Sequence, residues 1–128
     1  MDKIEKIVDI TNQLIGKGNL NIVESDFSAD YIAHTGNKTH KGQRFIKQYV
    51  VKIRATIPDI KIVGIEIISQ TDDTLTWQRT FRGTHIIDLN GIPASHEKVK
   101  WHELMVSRFE QDKIIEEWIS SDLSFQFF

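Results

Sequence analysis

The sequence contains no cysteine. Disulfide staples, a thiolate nucleophile and any cysteine-ligated zinc or iron–sulfur centre are therefore excluded. A cysteine-free chain is compatible with a reducing cytosol. No run approaches the roughly 18 consecutive apolar residues that a membrane span needs. The opening Met1-Asp2-Lys3-Ile4-Glu5-Lys6 mixes both charges and lacks an apolar stretch behind it, unlike a signal peptide. The expectation is a cytoplasmic protein with no membrane partner. Charge of one sign is lacking too: 16 Lys and Arg against 18 Asp and Glu leave a formal −2. That balance gives no global attraction to nucleic acid. Glycine-rich phosphate cradles and a Gly-x-Ser-x-Gly nucleophile elbow are absent. Five histidines are present, but none falls in His-x-His, His-Glu-x-x-His or facial-triad spacing, so no metal is expected.

What is present suits one globular domain over residues 1–128. Three Trp, two Tyr and seven Phe argue against disorder. Ile4, Ile7, Val8, Thr11, Leu14 and Ile15 repeat at helical spacing. Asp2 and Glu5 have capping-box spacing, and Gly16 and Gly18 supply the stop. A short second helix is expected around Leu20–Phe27, then a brief strand at Tyr31-Ile32-Ala33-His34 and a loop at Gly36-Asn37-Lys38. Phe45, Ile46, Tyr49, Val50 and Ile53 form the stripe of a third helix over about 42–56, which Pro58 ends. The period then switches from 3.6 to 2. Strands are expected over 60–69, 74–85, 99–109 and 113–122, with Asp72-Asp73 and Glu110-Gln111-Asp112 as turns. Helices followed by a four-stranded antiparallel meander make an α+β domain.

Arg79-x-x-x-Gly83-Thr84-His85, Gly91-Ile92-Pro93 and Arg108-Phe109-x-x-x-Lys113-Ile114-x-Glu116-x-Trp118-x-x-x-Asp122 occur in that order. Together with Tyr31-Ile32-x-His34 and Ile57-Pro58-Asp59, this set resembles the SnoaL-like polyketide cyclase, or ester cyclase, branch of the NTF2-like superfamily. The resemblance spans about residues 1–126. It implies a cone in which three N-terminal helices pack on a curved antiparallel sheet and enclose a hydrophobic pocket. It also implies a homodimer joined through the outer sheet face, and cofactor-free, metal-free aldol chemistry with the Asp at position 122 as acid/base group. The sequence departs from the family at Ile87, at Ala94-Ser95-His96-Glu97 and at Asp112, where Gly is usual at the first and last of these. Asp112 must then tolerate a positive φ at some cost.

Asp122 shares strand parity with Trp118, and an aromatic wall would raise its proton affinity. Arg79 sits in the apolar stripe of Leu75, Trp77 and Phe81, where it must meet a partner or a wet cavity. His34 ends the short strand and is a second acid/base candidate. The expected catalytic set is Asp122, His34 and Arg79, with Trp118, Trp77, Phe81, His85 and His102 binding a small hydrophobic carbonyl compound. Which of Trp101 and His102 faces inward is open. The same residues also fit a non-catalytic binding module, with Arg79 and Asp122 as a structural ion pair, or a dimerisation domain. A cavity of a few hundred Å³ suits the enzyme and the binding module; an interior filled by side chains suits the dimerisation domain.

Overall fold

The computed structural model describes residues 1–88 and 93–122. Helix α1 (Lys3–Thr11) begins where the capping pattern places it: the Asp2 carboxylate accepts the Glu5 backbone N–H at 2.8 Å. A wide π-helical turn, Asn12–Gly16, extends it. Helix α2 (Ile22–Asp26) is short and runs directly into β1 (Phe27–Thr35), followed by β2 (Lys38–Lys41). Helix α3 (Arg44–Thr56) precedes the four long strands β3 (Lys61–Gln70), β4 (Thr74–Thr84), β5 (Lys98–Glu110) and β6 (Lys113–Ser121). These limits lie within a residue or two of the periodicity for every strand after Ile60.

The sheet has six strands in the order β2-β1-β6-β5-β4-β3. The four-stranded expectation misses β1 and β2 as sheet members. The brief strand expected at residues 31–34 is the second half of β1; its first half is hidden because a register shift between Phe27 and Ile32 breaks the alternation around Ser28, Ala29 and Asp30. Strand β2, Lys38-Thr39-His40-Lys41, is polar and offers no apolar repeat. The expected loop is instead a tight hairpin turn, with Thr35 opposite Lys38 and Gly36 at φ 60°. Strand β1 pairs with β6 in parallel, whereas all other pairs are antiparallel. Because β2 and β3 lie at opposite edges, their connection, helix α3, must cross the sheet. Helices α1 and α3 bury Ile7, Ile10, Leu14 and Tyr49, Val50, Ile53 in one core with the inward side chains of the sheet.

Strand alternation sets which side chains reach that core. On β4, Leu75, Trp77, Arg79 and Phe81 are buried; on β5, Trp101, Glu103, Met105, Ser107 and Phe109 are buried. This settles the β5 faces: Trp101 points in and His102 points out. On β6 the parity changes partway. Phe109 pairs with Ile114 but Arg108 pairs with Glu116, so Ile115 is an extra, bulged residue. Ile114 is buried, and beyond the bulge so are Glu117 and Ile119, while Trp118 and Ser120 are exposed. Gly83 marks a close approach: a Cβ built there would lie 2.1 Å from Ile57 Cγ2. Helix α3 and β4 meet there in a gap that only glycine fits.

Candidate active site

Two buried carboxylates and one guanidinium occupy the inner face of the sheet. Arg79 and Glu103 are direct cross-strand partners on β4 and β5. The Arg79 Nε donates to Glu103 Oε1 at 2.8 Å, and Nη2 approaches the same oxygen at 2.7 Å. Tyr49, reaching down from α3, donates its hydroxyl to Glu103 Oε2. Glu103 is completely buried and Arg79 is 8% exposed. The Arg79 guanidinium also lies 5.5 Å from the Trp77 ring centroid and 5.3 Å from that of Phe81. Burial opposes its charge, but the facing Glu103, with Tyr49 and Glu117, holds its proton more tightly than usual.

Glu117 belongs to the same inner face through the β6 bulge and is 5% exposed. Tyr31 on β1 donates to its Oε1 at 2.8 Å, and Ser107 on β5 donates to its Oε2. Ser107 in turn accepts the Trp77 indole N–H at 2.9 Å. Burial raises the proton affinity of Glu117 and nearby Glu103 adds to this; the Ser107 and Tyr31 hydrogen bonds and Arg79 only partly offset it. Burial likewise drives the Tyr31 hydroxyl well above the ordinary tyrosine range, reinforced by the Glu117 charge. A carboxyl whose proton affinity is raised toward neutral pH is suited to proton transfer.

A cavity of about 40 Å³ lies between this cluster and the helices. Arg79, Glu117, Trp77 and Tyr31 form its sheet wall, and Ile10, Leu14, Phe45, Ile46 and Tyr49 are among its helical lining. A drug-sized ligand needs roughly 300–1,000 Å³, far more than this.

Of the residues expected from sequence, Arg79 and Trp77 reach this cavity, and Phe81 packs buried beneath Arg79. His85 is buried on the same side of β4, since the ladder runs unbroken through Gly83 and Thr84. Its Nε2, like the Trp101 Nε1, has no hydrogen-bond partner among the described residues. The other four do not converge there. Asp122 is exposed just past β6, its Oδ2 accepting the His102 backbone N–H at 3.2 Å. His102 is exposed, its Nδ1 beside Thr80 Oγ1 at 2.9 Å. Trp118, 40% exposed, stacks on His34 across the outer face with ring centroids 5.1 Å apart. His34 Nε2 sits 2.6 Å from Glu116 Oε2, which Arg108 also binds through Oε1. These two hydrogen bonds, His34 first, hold Glu116 below the usual carboxylate range. The expected Arg79–Asp122 ion pair is thus replaced by Arg79–Glu103. Gly91 and Ile92 lie outside the described residues.

The site residues that the sequence reading passes over are Glu103, Glu117, Tyr31, Tyr49 and Ser107. Glu103 carried the same signal as Arg79: a charge within an inward stripe, here Trp101, Met105 and Phe109. No group of three or more metal-ligating side chains is gathered among the described residues.

A search of curated proteins gives no match. Solved structures match over nearly the whole chain. IdmH from Streptomyces antibioticus is 21% identical, with 95% of this chain and 93% of that chain covered and a TM-score of 0.79. TsrD from Streptomyces laurentii is 15% identical, covering 96% and 92% at a TM-score of 0.81. A SnoaL-like polyketide cyclase from Agrobacterium tumefaciens is 19% identical, covering 94% and 91% at a TM-score of 0.75. At these identities the likeness is one of fold: the helix-covered, curved α+β sheet is shared. The family model for SnoaL-like polyketide cyclases matches residues 5–127, and the chain belongs to that family.

Proposed function

We propose that this protein is a cofactor-independent acid/base enzyme acting on a small, hydrophobic carbonyl compound, by aldol cyclisation, isomerisation or a related step. The carrying observation is Glu117, a buried carboxyl of raised proton affinity beside Arg79 on the wall of an interior cavity. Glu117 removes or returns a proton next to the carbonyl. Arg79 carries five N–H groups, of which two are directed at Glu103; the others stabilise negative charge developing on the carbonyl oxygen. Acid–base catalysis of this kind contributes about 10²–10⁴-fold, with positioning supplying the rest. Asp122, the position that the family resemblance points to, does not reach the cavity; Glu117 takes the role here. The enzyme works in the cytoplasm as a homodimer. Leu104 and Trp118, both about 40% exposed on the outer sheet face, are the apolar surface that a second copy covers.

The 40 Å³ cavity, well short of a few hundred Å³, favours a second reading, in which the chain is a dimerisation domain and the buried charges are structural. Exchange of α-hydrogens in D₂O separates the two. Incubated with 1-tetralone, an enzyme of the proposed kind accelerates deuterium incorporation at the carbon beside the carbonyl, read by proton NMR. Binding of 1-tetralone without accelerated exchange supports the binding module, and neither binding nor exchange supports the dimerisation domain.

A further inference from the structure

The two hydroxyls that donate to Glu117 differ in what else they face. Ser107 accepts the Trp77 indole N–H at 2.9 Å, donates to Glu117 Oε2 and is completely buried behind the cavity wall. Tyr31 donates to Glu117 Oε1 at 2.8 Å, and Tyr31 and Glu117 both line the cavity. A phenol oxygen that donates its hydrogen keeps lone pairs with which to accept another.

We infer that Tyr31 is a second catalytic residue, the hydroxyl through which Glu117 exchanges its proton with a ligand in the cavity. The inference rests on the acid/base role proposed above for Glu117. In the forward direction the ligand's bond to hydrogen breaks and its electron pair stays on the ligand. The Tyr31 oxygen takes that hydrogen while its own passes to Glu117 Oε1. Tyrosine ends neutral, glutamate ends protonated, and the ligand carries the negative charge beside Arg79. Tyr31 is not left ionised at any stage, in keeping with the strongly raised proton affinity of its hydroxyl. The groups facing the pair are Arg79 on β4, Glu103 on β5 and Tyr49 on α3. Helix α1 and its wide turn present Ile7, Ile10, Thr11, Leu14 and Ile15 and add no charge.

Titration of ¹³C-carboxyl-labelled glutamate, with the Glu117 resonance assigned by its loss in Glu117→Gln, tests this without a substrate. Ser107→Ala and Tyr31→Phe each remove a hydroxyl that donates to the ionised carboxylate, and each should raise the Glu117 midpoint by about one unit, a tenfold gain in proton affinity. An unmoved midpoint in Tyr31→Phe would mean that the phenol does not hold the carboxyl and would overturn the relay. Exchange of 1-tetralone supplies the second readout: Tyr31→Phe should slow it at least about tenfold, and 3-fluorotyrosine at position 31, which keeps both hydrogen-bonding roles, should restore it. If Glu117→Gln slows exchange and Tyr31→Phe does not, the relay alone fails. If Glu117→Gln exchanges as fast as the unaltered protein, the acid/base reading of Glu117 fails, whatever the titrations show.

Discussion

Replacing Arg79 by Met isolates the buried charge from the packing around it. Methionine keeps most of the aliphatic stem that lies against Trp77 and Phe81, so little volume is lost. What disappears is the guanidinium, and with it two close contacts to Glu103 Oε1 at 2.8 and 2.7 Å. Glu103, completely buried, keeps the Tyr49 hydroxyl but loses its countercharge, and Glu117 loses the same cation. Removing one partner of a buried pair costs about 3–5 kcal/mol. For a chain of 128 residues this lowers Tm by roughly 10–20 °C. The loss should depend on pH in a defined direction. Without Arg79, folding raises the Glu103 proton affinity, and a carboxyl so raised supports the fold below its unfolded range, near pH 4. That support is lost as pH climbs through the raised value. The Arg79→Met variant should therefore be weakest at pH 7 to 8 and recover toward pH 5. Adding Glu103→Gln removes the stranded charge and should restore about 2 kcal/mol or more relative to the single variant. Denaturant unfolding of both variants at pH 5 and 7.5 reads each quantity. A loss under about 1 kcal/mol, or a double variant as weak as the sum of the singles, would refute the buried-pair reasoning.

Other outcomes follow from local geometry. Gly83→Ala places a Cβ 2.1 Å from Ile57 Cγ2, where Ile57 is fully buried, and should destabilise by about 1–3 kcal/mol in thermal melts. At the β5–β6 turn both Gln111 and Asp112 have positive φ, 51° and 65°. The joint change Gln111→Asn and Asp112→Gly suits that turn and should stabilise by about 1 kcal/mol; a neutral or negative shift would contradict the turn strain. Glu117, whose proton affinity folding raises, stabilises the fold most below its ordinary range near pH 4.5 and less as pH rises. Glu117→Gln should accordingly gain on the unaltered protein between pH 4.5 and 7.5, and a pH-independent difference in unfolding free energy would count against a buried, neutral-leaning carboxyl.

The long elements were legible because each carries an uninterrupted period. The α3 stripe and the Leu75-Trp77-Arg79-Phe81 alternation place α3 and β4 within two residues. Arg79 was found because a charge within an apolar stripe has few physical resolutions. Glu103 obeyed the same rule but sat on a strand whose inward face Trp101 and His102 left open. The separation of Asp122 and His34 from Arg79 traces to one residue. The extra residue Ile115 in β6 reverses parity beyond it, turning Glu117 inward and Trp118 outward. Asp122 shares parity with Trp118 and goes out with it. A bulge of this kind has no compositional mark in Lys113-Ile114-Ile115-Glu116, where neither glycine nor proline occurs. His34 follows from the same cause, since it pairs with Trp118 across the parallel β1–β6 ladder. Strand β2 escaped because its stability comes from backbone pairing with β1 rather than from burial.

The assignment of proton transfer to Glu117 rather than Asp122 is tested most directly by two isosteric variants measured side by side. Each is folded, checked by its melt and assayed for α-hydrogen exchange of 1-tetralone in D₂O. Glu117→Gln keeps the shape and the hydrogen-bonding reach but cannot accept a proton, and should lose at least about 10²-fold in exchange rate per folded molecule. Asp122→Asn, at an exposed side chain that accepts the His102 backbone N–H, should retain the rate within about twofold. The reverse pattern, an active Glu117→Gln and an inactive Asp122→Asn, would contradict the account at its centre.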